Sequence, residues 1–404
     1  MFKLIPPIGT PFRIKDIIIC FKLSFLKFDK LESKASGLMG KVFGVGNIYF
    51  FDSGSAGLKM ALGIIKKNDN RKEVIIPAYT CRTVPQTIKS VALKPRMIDA
   101  SLTDFNMDLD ILEKNISDRT LAIVATHLFG TPADMERIIA IARKHGVYVI
   151  EDVAQALGAK VVNTPVGAFG DLAFYSFGKG KNLSLVSGGA VSVNNARFNS
   201  DFAKAHSKTQ QPEFLKQLEL FFLIIFYKIA LTPSVYYFIS KFKIVATSLN
   251  FRYKDREIKR LTKGQLALLV SLLDRFEGIT NQRICNAKKI LKCVKQTKCF
   301  RYIEDKPGNL TVYPSFPILA PTIQIRDYIC NKLKKDGIGA SPMYKKIADP
   351  VSKREKNDQF TNADTLFSRL FILPTIPFLN DAGILKIEKV LREVDNRYKD
   401  EYVN

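Results

Sequence analysis

"VIEDVAQALGAKVVNTPVGAFGDLAFYSFGKGKN", residues 149–182, holds two short apolar runs that each end in polar side chains. The first run ends in Glu151 and Asp152, with Gln155 one helical turn on; the second ends in Ser176, with Lys179 and Lys181 following. In a parallel sheet, ligands collect beyond the carboxyl ends of the strands. A lysine there, kept neutral by partial burial or neighbouring cations, can form a Schiff base with an aldehyde cofactor. A buried carboxylate in the same cleft can hold a proton on a heterocycle. The plainer reading of Glu151 and Asp152 is a strand-end acidic pair capping the next helix.

Outward from this stretch, residues 52–195 alternate regularly between strand and helix patterns. "GSAGLKMALGIIKK" reads as helix, "EVIIP" as a buried strand, "TVPQTIKSVAL" as helix and "KPRMIDA" as strand. "DLDILEKNI" is helical, "TLAIVATH" a strand, "PADMERIIAIARKHG" a helix with Pro132 near its start, and "VYVIED" a strand. Strands separated by crossover helices predict an α/β domain with a mostly parallel sheet. The last hundred residues, with "TVYPSFPILA" as strand, "TIQIRDYICNKLKKDG" as helix and "DAGILKIEKVLREV" as a final helix, suit a small α+β domain. The boundaries expected are an N-terminal segment over 1–50, a large domain over 51–250 with an apolar insertion about 200–249, a linking helix over 251–296, and the small domain over 297–404.

Pyridoxal 5'-phosphate requires a lysine, a carboxylate for its pyridinium nitrogen and donors for its phosphate. The donors fit Ser176 and a Gly-Ser helix start at Gly54 and Ser55. With these residues in view, the stretch above resembles the central signature of the DegT/DnrJ/StrS-type sugar aminotransferases. These belong to the aspartate-aminotransferase (type I) fold of pyridoxal-phosphate enzymes. The likeness runs over residues 53–189 and resumes after Asn250, in "DSGSAGLKMAL", "EVIIPAYT", "THLFGTPADM", "LNFRYKDREIKRLTKGQLALL" and "TNADTLFSRLFILPTIPFLND".

The resemblance implies a seven-stranded large-domain sheet and a division of labour at the site. Lys181, five residues after Ser176 and directly before Asn182, takes the Schiff-base position; Lys179 falls where the family varies. Asp152 pairs with the pyridinium nitrogen, and Gln155 lies against the ring near its hydroxyl. Gly54 and Ser55 hold the phosphate, and Asn250 of the "N-x-R" element reaches the phosphate of a neighbouring subunit, implying a homodimer with shared active sites. The reaction implied moves an amino group from a donor, usually glutamate, to a keto-sugar that is typically nucleotide-linked, with Lys181 shuttling the proton. Relatives that dehydrate sugars carry histidine at this lysine. The same likeness marks departures at Cys81, where relatives have a ring-stacking aromatic, at Val186 and Ser187, where they have Gly-Glu, and at Met343, near a common histidine. These departures motivate an alternative, a non-catalytic or regulatory relative that keeps the fold.

The remaining features set limits. Six scattered cysteines without CxxC and only three histidines argue against a metal site. A net charge of +24 would draw anionic partners, yet no helix-turn-helix, zinc or aromatic RNA-binding signature accompanies it, so no nucleic-acid partner is expected. His127 reads first as a strand-end histidine bonded to a neighbouring loop, and Arg252 as either an ion pair or a phosphate ligand. The N-terminus lacks a signal-peptide pattern, which predicts a cytoplasmic chain. "LFFLIIFYKIALTPSVYYFIS", residues 220–240, is long enough to cross a bilayer, but the continuation of the fold on both sides favours an interface-seated hairpin broken near Pro233, or a subunit contact. "FRIKDIIICFKLSFLKF" alternates basic and large apolar groups, and the same two readings, protein interface or the inner face of a membrane, stay open for it.

Overall fold

The computed structural model describes residues 3–241, 257–344, 360–398 and 400–402. Helices α1 (Ile14–Leu23) and α2 (Phe28–Phe43) precede β1 (Ile48–Phe51), α3 (Gly54–Lys67), β2 (Glu73–Pro77), α4 (Thr83–Ser90) and β3 (Lys94–Ile98). There follow α5 (Leu109–Asn115), β4 (Thr120–Thr126), α6 (Met135–His145) and β5 (Tyr148–Asp152). A small hairpin, β6 (Lys160–Val161) with β7 (Thr164–Pro165), leads to β8 (Leu172–Ser176) and β9 (Gly189–Val193). Then come α7 (Asn199–Ser207), α8 (Phe214–Ala230) and α9 (Pro233–Lys241).

Seven strands form one sheet in the order β1-β9-β8-β5-β4-β2-β3. The pairs β2–β3, β2–β4, β4–β5 and β5–β8 are parallel, whereas β9 runs antiparallel to β8 and β1. The mostly parallel, seven-stranded sheet expected from the sequence is therefore present. Strands β2 and β4 are buried along their whole length, as continuous apolar runs covered on both faces require. Helices α3 and α4 pack on one face, and α5 and α6 on the other with Ile75, Ile123 and Val149. The carboxyl ends of β1, β2, β4, β5 and β8 share one edge, to which antiparallel β9 contributes its beginning, Gly189.

Helices α10 (Lys263–Leu273) and α11 (Phe276–Val294) replace the single linking helix expected over 251–296. The apolar periodicity runs on through the break, so the sequence does not announce it. At the break Arg275 turns its guanidinium to the Asp16 carboxylate at 2.5 Å and to the Pro11 carbonyl at 2.6 Å. The N-terminal segment does not stand apart either: Cys20, Leu31 and Met39 share one core with α10. Helix α10 is buried on all sides, from Gln265 to Leu273.

The C-terminal part packs α11, α12 (Ile323–Lys335), α13 (Thr361–Arg369) and α14 (Asp381–Tyr398) with an antiparallel sheet, β10 (Arg301–Tyr302), β11 (Ser315–Leu319) and β12 (Leu370–Pro374). This matches the α+β unit read from the sequence, with its strand limited to Ser315–Leu319. The N-terminal segment crosses to it, since Ile5 and Gly337–Gly339 exchange backbone hydrogen bonds.

Candidate active site

Helix α3 begins at the end of β1, where Ser53 caps it by accepting the Ala56 N–H at 3.1 Å. A helix start leaves its first N–H groups without intrahelical partners and carries partial positive charge. Gly54 brings that start against β8: a Cβ there would lie 3.0 Å from Ser176 Cβ. Gly189 approaches from the other side, where a Cβ would lie 2.5 Å from the Gly54 nitrogen. Two glycines thus let three chain segments meet around Gly54, Ser55 and Ser176, a concentration of donors suited to a phosphate.

One strand over, Asp152 ends β5. It is 5 % exposed, and its Oδ1 accepts the Ala154 N–H at 3.0 Å. Burial pushes the Asp152 carboxyl up, and the nearby Lys181 ammonium pulls it back down. Lys181 is half-buried whereas Lys179 is exposed, which separates the two lysines physically. Gln155 is buried, accepting the Phe129 N–H at 3.0 Å and donating to the Tyr344 hydroxyl at 2.9 Å. Phe129 holds φ +56°, an uncommon conformation for a non-glycine residue and one that clusters at functional sites. The buried Thr80 hydroxyl at the end of β2 has no hydrogen-bond partner among the described residues. Asn250 and Arg252 lie outside the described residues.

The lysine loop is held by residues far from it along the chain. Thr10 Oγ1 donates toward the Lys181 and Asn182 carbonyls at 3.1 and 3.2 Å, and accepts the Ser184 N–H at 3.0 Å. Arg283 of α11, 1 % exposed, donates to the Asn182 carbonyl at 2.9 Å and the Gly9 carbonyl at 2.7 Å. Burial lowers its pKa to about 10, but the guanidinium stays charged at neutral pH. Asn182 ties the loop to the chain after β5, donating to the Leu157 carbonyl at 3.3 Å. A charged residue on the buried Ile279–Arg283–Ile290 stripe of α11 was the available clue to Arg283.

His127 is a strand-end histidine bonded to a neighbouring loop, as its place in the sequence suggests. Its Nδ1 accepts the Ala133 N–H at 3.0 Å, so Nε2 carries the proton and donates to Glu151 Oε2 at 3.2 Å. Glu151 in turn accepts the N–H groups of Gly167, Phe169 and Gly170 at 2.7–2.8 Å, fixing the turn before β8. Of the two carboxylates that end β5, one builds the scaffold and Asp152 faces the lysine.

The departures are accommodated. Val186 sits at φ +69°, the left-handed region. The Ser187 hydroxyl and carbonyl both accept from Gln265 Nε2, at 3.0 and 2.9 Å, and Gln265 also closes the capping box of α10 with Thr262. Cys81 Sγ is 3.3 Å from Thr83 Oγ1. Nearby, Tyr79 stacks edge-on to Tyr344 at 5.2 Å and lies against Phe367 at 4.7 Å.

Residues 27–224 and 246–392 match the model of the DegT/DnrJ/EryC1/StrS aminotransferase family. The chain belongs to that family. Helicobacter pylori PseC, an aminotransferase involved in the biosynthesis of pseudoaminic acid, superimposes on it with a TM-score of 0.79 at 19 % identity, over 98 % of this chain and 100 % of that one. The shared architecture is the fold of these aminotransferases. A UDP-N-acetyl-3-dehydro-alpha-D-glucosamine 3-aminotransferase from Acidithiobacillus ferrooxidans is 38 % identical over 163 residues, 40 % of this chain and 43 % of that relative. The chain thus spans less than half of that relative in the match. An uncharacterized protein of Methanocaldococcus jannaschii is 25 % identical over 96 % of both chains. Among the described residues, no group of three or more histidine, cysteine or carboxylate side chains could hold a metal ion.

Proposed function

We propose that this chain is a pyridoxal-phosphate-dependent aminotransferase that moves an amino group, from glutamate, to a nucleotide-linked keto-sugar destined for a surface glycan. The observation that carries the reading is the convergence at one sheet edge of Lys181, Asp152, Ser176 and the start of α3. Pyridoxal phosphate, when bound, supplies the electron sink that makes the Cα proton of an amino acid removable. The residues present fit it. Gly54, Ser55 and Ser176 would hold the phosphate dianion at a helix start, Asp152 would keep the ring nitrogen protonated, and Gln155 would lie beside the ring hydroxyl.

Lys181 is the proton carrier in this reading, taking a proton at Nζ and giving it back within each of the two half-reactions. Its half-buried position beside Asp152 and its clamped backbone hold Nζ in one place, which such a transfer requires. Asn250 reaching a second subunit would make the working unit a homodimer, and the cytoplasm supplies glutamate. The keto-sugar acceptor rests on family membership and on the printed activity of the Acidithiobacillus relative.

The test is borohydride reduction in the presence of pyridoxal phosphate, followed by peptide mass spectrometry. The label is expected on Lys181 and is absent from Lys181→Ala, and the parent converts glutamate to 2-oxoglutarate beyond one equivalent per site only when a nucleotide-linked keto-sugar is present. Label on Lys179 overturns the lysine assignment. No label at all overturns the enzyme reading and leaves a non-catalytic relative.

A further inference from the structure

Eleven of the twenty exposed large hydrophobic side chains of the described residues lie on α1 and the turn after it, α8 and α9. On the first they are Ile14, Ile18, Phe21 and Phe25, one outward stripe at helical spacing. On α8 they are Phe214, Leu215, Leu218, Phe222, Phe226 and Ile229, opposite the buried Leu220, Ile224 and Tyr227, and on α9 Phe238. The stripes are continuous: the rings of Phe25 and Phe21 are 5.2 Å apart, Phe21 and Phe221 6.3 Å, and Phe221 and Phe222 6.2 Å. Both helices rest on the buried α10, so the apolar surface is a firm slab rather than a loose arm. Soluble monomers rarely expose so large an apolar patch without a use for it.

Its rim is basic. Arg13, Lys15, Lys22 and Lys27 are exposed around α1, and Lys241 ends α9. Asp16, the one acidic residue of α1, is turned inward to Arg275. Glu219 pairs with Lys216 at 2.7 Å, and Glu213 is 3.7 Å from Lys259. The family match omits residues 1–26 and 225–245, which contain all of α1, the end of α8 and all of α9. The slab is therefore largely an addition to the aminotransferase body.

Among the described residues no single helix is long and apolar enough to cross a membrane, and α8 and α9 are bent by 98° at the break before Pro233. A second copy of this chain would bring two basic rims of a +24 molecule face to face. An anionic lipid surface satisfies both the apolar slab and its basic rim. We propose that this face seats the protein in the headgroup–acyl boundary of a membrane rich in anionic lipid, independently of the reaction at Lys181.

The experiment is flotation of the full chain with vesicles of phosphatidylglycerol and phosphatidylcholine, and with phosphatidylcholine alone. Three forms are compared: the parent, Phe222→Asp/Phe226→Asp, and Lys15→Glu/Lys22→Glu, each checked by thermal melting and by mass from light scattering. The parent is expected to float with the anionic vesicles, and the phenylalanine variant to bind about a hundredfold less. The lysine variant should lose at least about fivefold per lysine on anionic vesicles only, and added salt should mimic it. A folded parent that stays at the bottom of the gradient overturns the proposal. So does a phenylalanine variant whose mass falls to that of a monomer while the parent is a dimer, because the face then belongs to a second copy.

Discussion

Gly189→Ala tests whether the start of α3 and β8 form one anion cradle. Gly189 is buried and paired to Phe51 on β1 and to Ser176 on β8. An alanine Cβ would lie 2.5 Å from the Gly54 nitrogen and 2.6 Å from Gly54 Cα and the Ser53 carbonyl carbon, all backbone atoms that cannot rotate away. Reaching ordinary contact near 3.5 Å requires the helix start to retreat by about 1 Å. The overpacking costs about 1–3 kcal/mol of stability. A retreat of that size removes at least one charge-assisted hydrogen bond to a bound phosphate, about 1.5–3 kcal/mol, which is a roughly 10- to 150-fold weaker Kd. The assay is titration with pyridoxal phosphate followed by absorbance, with inorganic phosphate as competitor. Gly63→Ala is the control, since a Cβ at Gly63 on the same helix meets nothing within 4 Å, and it should bind as the parent does while gaining about 0.5–1 kcal/mol. A folded Gly189→Ala protein that binds as tightly as the parent would refute the cradle.

Thr10→Val keeps the shape but strands the buried Ser184 N–H, costing about 1–3 kcal/mol. It should lower kcat more than it raises KM, and Thr10→Ser should restore kcat; equal loss in both variants would remove the hydroxyl from the account. Val186→Gly gives up a buried side chain but relieves a left-handed β-branched residue, worth about 1–2 kcal/mol. In urea melts it should therefore cost less than half of what Val191→Gly costs, both valines being buried. Burial lowers the His206 pKa to about 4, with Arg260 reinforcing it and the Phe50 carbonyl opposing it. The unfolded chain takes up this proton near pH 6.5 and the folded one only near 4. The stability is thus complete above about pH 6.5 and declines by roughly 3 kcal/mol as the pH falls to 4. His206→Gln should flatten that part of the acid limb, and urea midpoints at neutral and acidic pH, superimposable for parent and variant, would count against it.

The order of strands and helices was legible because each element carries local marks. "EVIIP" is a fully buried strand over Glu73–Pro77, and the Gly-Ser start of α3 sits where a strand end meets a helix. Asp152, Ser176, Gln155 and Lys181 were legible as a set because the first two end neighbouring strands and the other two follow those ends by three and five residues. The clamp was not legible: Thr10 and Arg283 act on the loop across 172 and 101 residues of chain, and a threonine after glycine looks like any turn. Nor was the break at Arg275, because the apolar period of α10 continues into α11 while an ion pair with Asp16, 259 residues away, decides the bend. The amphipathic character of 12–28 was readable, but the shared slab with α8 depends on both helices docking on α10.

Those two anchors also order events in time. By the end of β9 at Val193 a growing chain has already made every strand of the large sheet, together with Lys181 and Thr10. Arg283 emerges 101 residues after Asn182. The sheet can therefore collapse before its lysine is locked, and an unfinished chain is compact yet inert. On refolding from urea, the strand signal in circular dichroism should return ahead of turnover, with the lag set by the docking of α11 onto the lysine loop.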